Sequence, residues 1–254
     1  MFLQIKEIFL YREMLKNLVA KELRSRYKGS IFGFLWTFFN PLMLLVVYSI
    51  VFSFVMKVQI EHYSVFLFVG LLPWNYLANS ALMGVSSIVN NGNLVKKTYF
   101  PREILPLSIV FSNLINYILG LLILLPALLI IHIPLTVALI AFPIILLIQT
   151  LMVTGLALIL ASVNVYFRDL AHIVDVLILA WFFFTPILYT MDMVPIEFRG
   201  LYVLNPMAPI VISYQDIFFY GRFPDWVLLG EFALGAFIFL VLSLKLFKRL
   251  QINF

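Results

Sequence analysis

Six stretches of this chain are apolar for long enough to cross a lipid bilayer, and that feature excludes nearly every soluble fold. A crossing helix needs about 20 apolar residues, because hydrocarbon offers no water to the backbone and only an internally hydrogen-bonded helix satisfies it there. The blocks run over 31–56, 64–89, 104–131, 136–163, 173–190 and 226–244. Only His132 to Leu135 separate the third from the fourth, but one helix of their combined length would far exceed a bilayer, so a tight hairpin is expected. With 64% hydrophobic and 11% charged residues among 254, the composition agrees. The expected fold is an all-α integral membrane protein, one transmembrane domain over 1–254 with six transmembrane helices.

Lysine and arginine placement orients these blocks. Fourteen of the seventeen basic residues fall on one side: seven before Ser30, then Lys96, Lys97, Arg102, Arg168, Lys245, Lys248 and Arg249. The other side holds Lys57, Arg199 and Arg222. An even number of spans puts both termini on the basic side, so both termini are expected in the cytoplasm, with 245–254 as a cytoplasmic tail. Within 1–30, Tyr11, Met14, Leu15, Leu18, Val19 and Leu23 recur at helical spacing, while Arg12, Lys16, Lys21 and Arg24 lie mostly off that stripe. An amphipathic helix over Tyr11–Arg26, lying in the inner interface, is expected. The segment lacks the apolar core of a secretory signal. On the outer side, 191–225 is too apolar for a solvated linker and reads as two short helices broken at Asn205 and Pro206, re-entering the outer leaflet or packing on the spans.

Much chemistry is excluded. The middles of the six blocks carry no Asp, Glu, Lys, Arg or His, which disfavours a proton- or sodium-driven carrier. No cysteine is present, and no His or Cys pair sits at metal-ligand spacing. No glycine is followed by lysine, so the chain has no phosphate-cradling loop for ATP hydrolysis. Asp192, Glu197, Asp216 and Asp225 gather in the outer connection and keep open a membrane-embedded glycan or acyl transferase.

Two features remain. The island from Ser87 to Pro106 holds Asn90, Asn91, Gly92 and Asn93, which stop the second span, then Leu94 to Tyr99, with room for one or two helical turns, before Pro101 and Pro106 restart the third. Its apolar and aromatic content exceeds what a bare turn requires, as if something cytoplasmic grips it. Aromatic residues make up 17% of the chain, concentrated in FGFLWTFFNP (32–41) and AWFFFTPILY (180–189). Flat rings stack on the apolar C–H faces of sugars as they do on bases.

The motifs RYKGSIFGFLWTFFNPL, LVKKTYFPREILPLS, YFRDL and LNPMAPIVISYQDIF, in this order along essentially the whole chain, resemble the membrane-spanning permease subunit of polysaccharide ABC exporters of the O-antigen and teichoic-acid type. The resemblance implies a homodimer joined to two copies of a cytoplasmic ATP-binding subunit, which carries ATP and Mg2+, and no cofactor, metal or catalytic residue on this chain. The cargo implied is a lipid-linked polysaccharide crossing the inner (plasma) membrane; nucleic acid is not a partner, and membrane lipids surround the spans. It further implies a coupling helix carrying Asn91, Asn93, Leu94, Lys96, Lys97 and Tyr99, and an interface helix carrying Arg12, Lys16, Lys21, Arg24 and Arg26. Trp36, Phe39, Trp181, Phe184 and Tyr189 would line the channel, and Asn205, Pro206 and Tyr214 would form an outer gate. A permease for small hydrophobic drugs or lipids is the alternative within the same architecture.

Overall fold

A computed structural model of the chain describes residues 7–30, 32–51 and 61–251. Lys6, Lys57, the 52–56 end of the first apolar block and residues 252–254 of the tail lie outside the described residues. The regular elements among the described residues are all helical. In chain order they are α1 (Arg12–Tyr27), α2 (Trp36–Tyr48), α3 (Tyr63–Val85), α4 (Ser87–Asn90), α5 (Gly92–Lys97), α6 (Ile104–Ile130), α7 (Phe142–Tyr166), α8 (Leu170–Phe183), α9 (Ile196–Arg199), α10 (Met207–Gln215) and α11 (Trp226–Leu250).

Among the described residues, four helices are long and apolar enough to cross a membrane: Tyr63–Val85, Ile104–Ile130, Val137–Tyr166 and Trp226–Leu250. The first and fifth apolar blocks yield shorter apolar helices, Phe38–Val51 and Leu170–Phe183. The fifth stops early for a local reason: Pro186 has no N–H to continue the ladder and disfavours helical geometry at Thr185. The expected hairpin between the third and fourth blocks is present, with α6 ending at Ile130 and His132 in the left-handed region at φ 60°. Thr136 secures it, its Oγ1 accepting from Ala138 N at 3.3 Å and donating to Gly221 O at 2.8 Å. Asp225 caps α11 by accepting from Val227 N and Leu228 N, and Lys248 and Arg249 oppose the dipole in its last turn.

The helix α3 is the axis of the bundle. From Tyr63 to Ala78 every residue is buried except Asn75, with α6, α7, α8 and α10 packed around it. Close approach is achieved with small residues: Gly84 faces Ala157 where α3 meets α7, and Gly155 faces Phe239 and Ser243 where α7 meets α11. A second cluster lies at one end of the bundle, where Leu18 of α1 joins Ile88, Phe100, Ile104, Leu105 and Phe247. The apolar stripe expected on α1 thus packs on protein. This end, carrying α1, α5 and the C-terminal end of α11, is the basal end; the His132 hairpin and the 191–225 cap form the distal end.

A Cβ at Gly155 would sit 2.8 Å from the Phe239 ring, whereas one at Gly235 meets nothing within 4 Å. Gly155→Val is therefore expected to destabilise the purified protein by about 1–3 kcal/mol through overpacking, read as a lower midpoint of thermal unfolding in detergent. Gly235→Ala should leave that midpoint unchanged or slightly raised.

Candidate functional site

At the basal end the chain builds a short handle. The α3 helix stops after Val85, α4 and α5 follow as two short turns, and Phe100, buried to 5% exposure, roots the segment in the basal cluster. Leu94 and Val95 pack against the same cluster, while Asn93, Lys96, Lys97 and Tyr99 face outward, Tyr99 at 84% exposure. Lys21 Nζ of α1 donates to Asn91 Oδ1 at 3.2 Å, and Arg102 donates to Gln251 O at 2.6 Å. The handle is thereby tied both to α1 and to the end of α11. Of the basic residues expected along α1, Lys16 pairs with Glu13 at 2.9 Å, Arg12 lies 3.7 Å from the same carboxylate, and Arg24 is exposed. Arg26 turns inward instead, donating to Asn113 Oδ1 at 2.7 Å and to Met83 Sδ at 3.1 Å.

Beside the handle, Glu103 is only 4% exposed. Burial pushes its carboxyl above the ordinary carboxylate range, and Glu7 adds to the shift; its own backbone N–H and the charges of Lys248 and Arg102 pull against it.

At the distal end a groove of about 880 Å³ opens between the end of α8 and the cap, walled by Trp181, Phe184, Tyr189, Tyr202, Asn205 and Pro206 among others. Asn205 organises it. Its Oδ1 accepts from Trp181 Nε1 at 2.7 Å and from Met207 N at 3.0 Å, while its Nδ2 donates to Phe184 O at 2.9 Å and Thr185 Oγ1 at 3.1 Å. One side chain thus fills its hydrogen-bonding capacity by joining α8 to α10 across the cap. Tyr189 OH donates to Phe183 O at 2.9 Å and pairs with Tyr202 OH at 2.7 Å, and Phe184 stands 70% exposed in the groove wall.

The structure does not bring all the candidate rings together. Trp36 and Phe39 lie at the basal start of α2, packed edge-on to Phe32 with Trp36 Nε1 donating to Ser30 Oγ at 2.7 Å, while Trp181 and Phe184 lie at the distal end of α8. Both helices run from the basal to the distal end, so their aromatic ends are opposed within one chain. Tyr214 is also apart from the groove. It is fully buried, donates to Gln149 Oε1 at 3.0 Å, and packs its ring against Tyr117, Phe142 and Phe218. Gln149 in turn donates to Pro73 O at 2.7 Å, a bridge among α3, α7 and α10 that the spacing of apolar residues does not announce.

Nor do the acidic residues of the cap form one centre. Asp216, 6% exposed, accepts from Arg222 Nε at 2.7 Å; burial raises its carboxyl from the ordinary range and Arg222 opposes that rise. Asp225 is occupied in capping α11. Among the described residues, no group of three or more His, Cys, Asp or Glu is placed to hold a metal ion.

Residues 13–219 match the family described as ABC-2 type transporter. The chain is 42% identical over 227 residues to the O-antigen export system permease protein RfbA of Myxococcus xanthus, covering 87% of this chain and 86% of that protein. Two proteins of the same name from Klebsiella pneumoniae are 33% and 32% identical over 243 residues, covering 95% of this chain and 93% of each relative.

Two outcomes are expected from these sites. Asn205→Ala leaves the part-buried Trp181 Nε1–H and Met207 N–H without their acceptor, at about 1–3 kcal/mol each, so limited proteolysis should nick the 191–206 segment at least about tenfold faster than in the parent, with Trp181 emission shifted to the red. For Glu103, a raised folded-state pKa means that the folded form holds its proton more tightly than the unfolded form. Stability is then lost as pH rises from the ordinary carboxylate range through the raised value. Glu103→Gln should melt like the parent at acid pH and above it at neutral pH, the difference growing through that window.

Proposed function

Because the chain belongs to the ABC-2 type transporter family, we propose that it is the permease of an exporter that moves a lipid-linked, O-antigen-type polysaccharide from the cytoplasm to the outer face of the membrane. It is a multi-pass membrane protein and a transport subunit, and its family implies an ATP-binding subunit as partner. The observation that carries the substrate class is near-full-length similarity to three proteins named for O-antigen export.

In this reading the basal end faces the cytoplasm of the inner membrane, six segments cross the bilayer, and two copies of the chain meet two ATP-binding subunits that hold ATP and Mg2+. The exposed handle, with Asn93, Lys96, Lys97 and Tyr99 outward and Phe100 as its root, is the surface those subunits grip. Nucleotide-driven motion enters there and passes to α3 and α6, which the handle joins covalently, and to α1 and α11, which it touches through Lys21 and Arg102. The first and fifth apolar segments support a homodimer seam, because α2 exposes Phe39, Leu42 and Val46 and α8 exposes Ile173, Val176, Leu177 and Leu179. Glycan rings would slide over Phe184, Tyr189 and Trp181 at about 1 kcal/mol per stacked ring, enough to guide a polymer and too little to hold it. Asn205 and Pro206 set the wall of that groove. A transferase at the outer carboxylates is poorly supported, since Asp216 and Asp225 already have structural partners.

Lys96→Glu and Lys97→Glu combined with Tyr99→Ala should cut co-purification of the ATP-binding subunit at least about tenfold, since each lost charge-assisted contact is worth about 1.5–3 kcal/mol, and should abolish surface glycan. Undiminished association and export would remove the handle from the mechanism.

A further inference from the structure

A cavity of about 630 Å³ lies between α2, α3 and α6, running from Arg26 toward the middle of the bundle, and the roles assigned above do not account for its polar walls. Five asparagines converge on it: Asn40 from α2, Asn75 and Asn79 from α3, Asn113 and Asn116 from α6. The i,i+4 spacing on α3 and the i,i+3 spacing on α6 put each pair on one helix face. Asn75 is the one incompletely buried residue of α3 between Tyr63 and Ala78, and the cavity is where it opens. Asn116 Oδ1 is buried without a hydrogen-bond partner among the described residues. A carboxamide group buried without a partner costs about 2–7 kcal/mol; Asn116 Oδ1 is in that position, Asn113 is buried with partners, and Asn40, Asn75 and Asn79 keep their amides open to the cavity.

The chemistry of the walls selects the ligand. A carboxamide offers a donor and an acceptor side by side, which suits neighbouring hydroxyl groups that each donate and accept. Trp36, Tyr76 and Tyr117 add ring surface to the same walls, the last two stacked with centroids 5.9 Å apart. The one cationic group of the lining, Arg26, is engaged with Asn113 and Met83, and Asn113 also donates to Ile109 O at 3.0 Å. The volume falls within the roughly 300–1,000 Å³ of ligand pockets. We propose that the cavity binds sugar residues of the exported glycan through their hydroxyl groups, a site apart from the distal aromatic groove. The proposal rests on the polysaccharide-export reading.

The test is photo-crosslinking in cells that make the lipid-linked glycan, with the ATP-binding subunit co-expressed. A p-benzoylphenylalanine replaces Met43, which lines the cavity from α2 and leaves every asparagine intact; a second chain carries it at Phe184 in the distal groove. A glycan adduct at position 43, absent when glycan synthesis is blocked, is the expected result. Adding Asn79→Leu or, separately, Asn75→Leu should reduce that adduct at least about tenfold, the equivalent of 1.4 kcal/mol in lost hydrogen bonding, in complexes that still co-purify with the ATP-binding subunit. Asn79→Ser, which keeps a polar group at lower volume, should retain part of it. Glycan captured at 184 and none at 43, phospholipid alone captured at 43, or an adduct at 43 indifferent to both leucine variants would overturn the site and leave the export reading standing. Glycan captured at neither position would sink both.

Discussion

Hydrocarbon supplies no hydrogen bonds, so wherever this chain leaves the helix inside the bundle its freed carbonyls must find side-chain donors. The break after α8 shows how strictly that is obeyed. Phe184 O accepts from Asn205, Pro186 O from Gln215 at 3.0 Å, and Leu188 O from Tyr63. These donors come from the cap, from the end of α10 and from the start of α3. A single proline therefore fixes where four parts of the molecule meet. The aromatic groove exists because this break does: it turns the chain out of α8 and leaves Phe184 and Tyr189 facing the cap across open space.

The same constraint explains the contrast between the two ends. The distal end is locked by side-chain bridges, Asn205 to α8, Arg222 to Asp216, and Thr136 to Gly221. At the basal end apolar packing roots a handle whose outer face is polar and exposed. Rigid roots with a free face suit a surface that receives force from a partner, and the short turns of α4 and α5 leave little slack between it and the long helices on either side. Between the ends, Gln149 ties Pro73 to Tyr214 and holds α3, α7 and α10 in one block, to which α11 is closely packed at Gly155.

The helices were largely legible because bilayer thickness sets their length and apolar runs mark them directly. The hairpin at His132 followed from that length limit, and the handle followed from the Asn-Gly-Asn stop and the prolines after it. The fifth block was less legible: its composition suggested a span to Thr190, but Pro186 and the Asn205 bridge end the helix at Phe183. The inward turn of Arg26 was not legible either, because its partner Asn113 lies far along the chain.

Hydropathy and the lysine and arginine bias determined that this protein is a helical membrane protein with one strongly basic end, because those properties depend on composition summed along short segments. Only the tertiary structure decided which polar residues share a space. Asn75, Asn79, Asn113 and Asn116 are modest interruptions in two separate apolar runs until α3 and α6 lie side by side. The aromatic runs of α2 and α8, alike in sequence, point to opposite ends because the two helices carry them at opposite termini while running in the same direction.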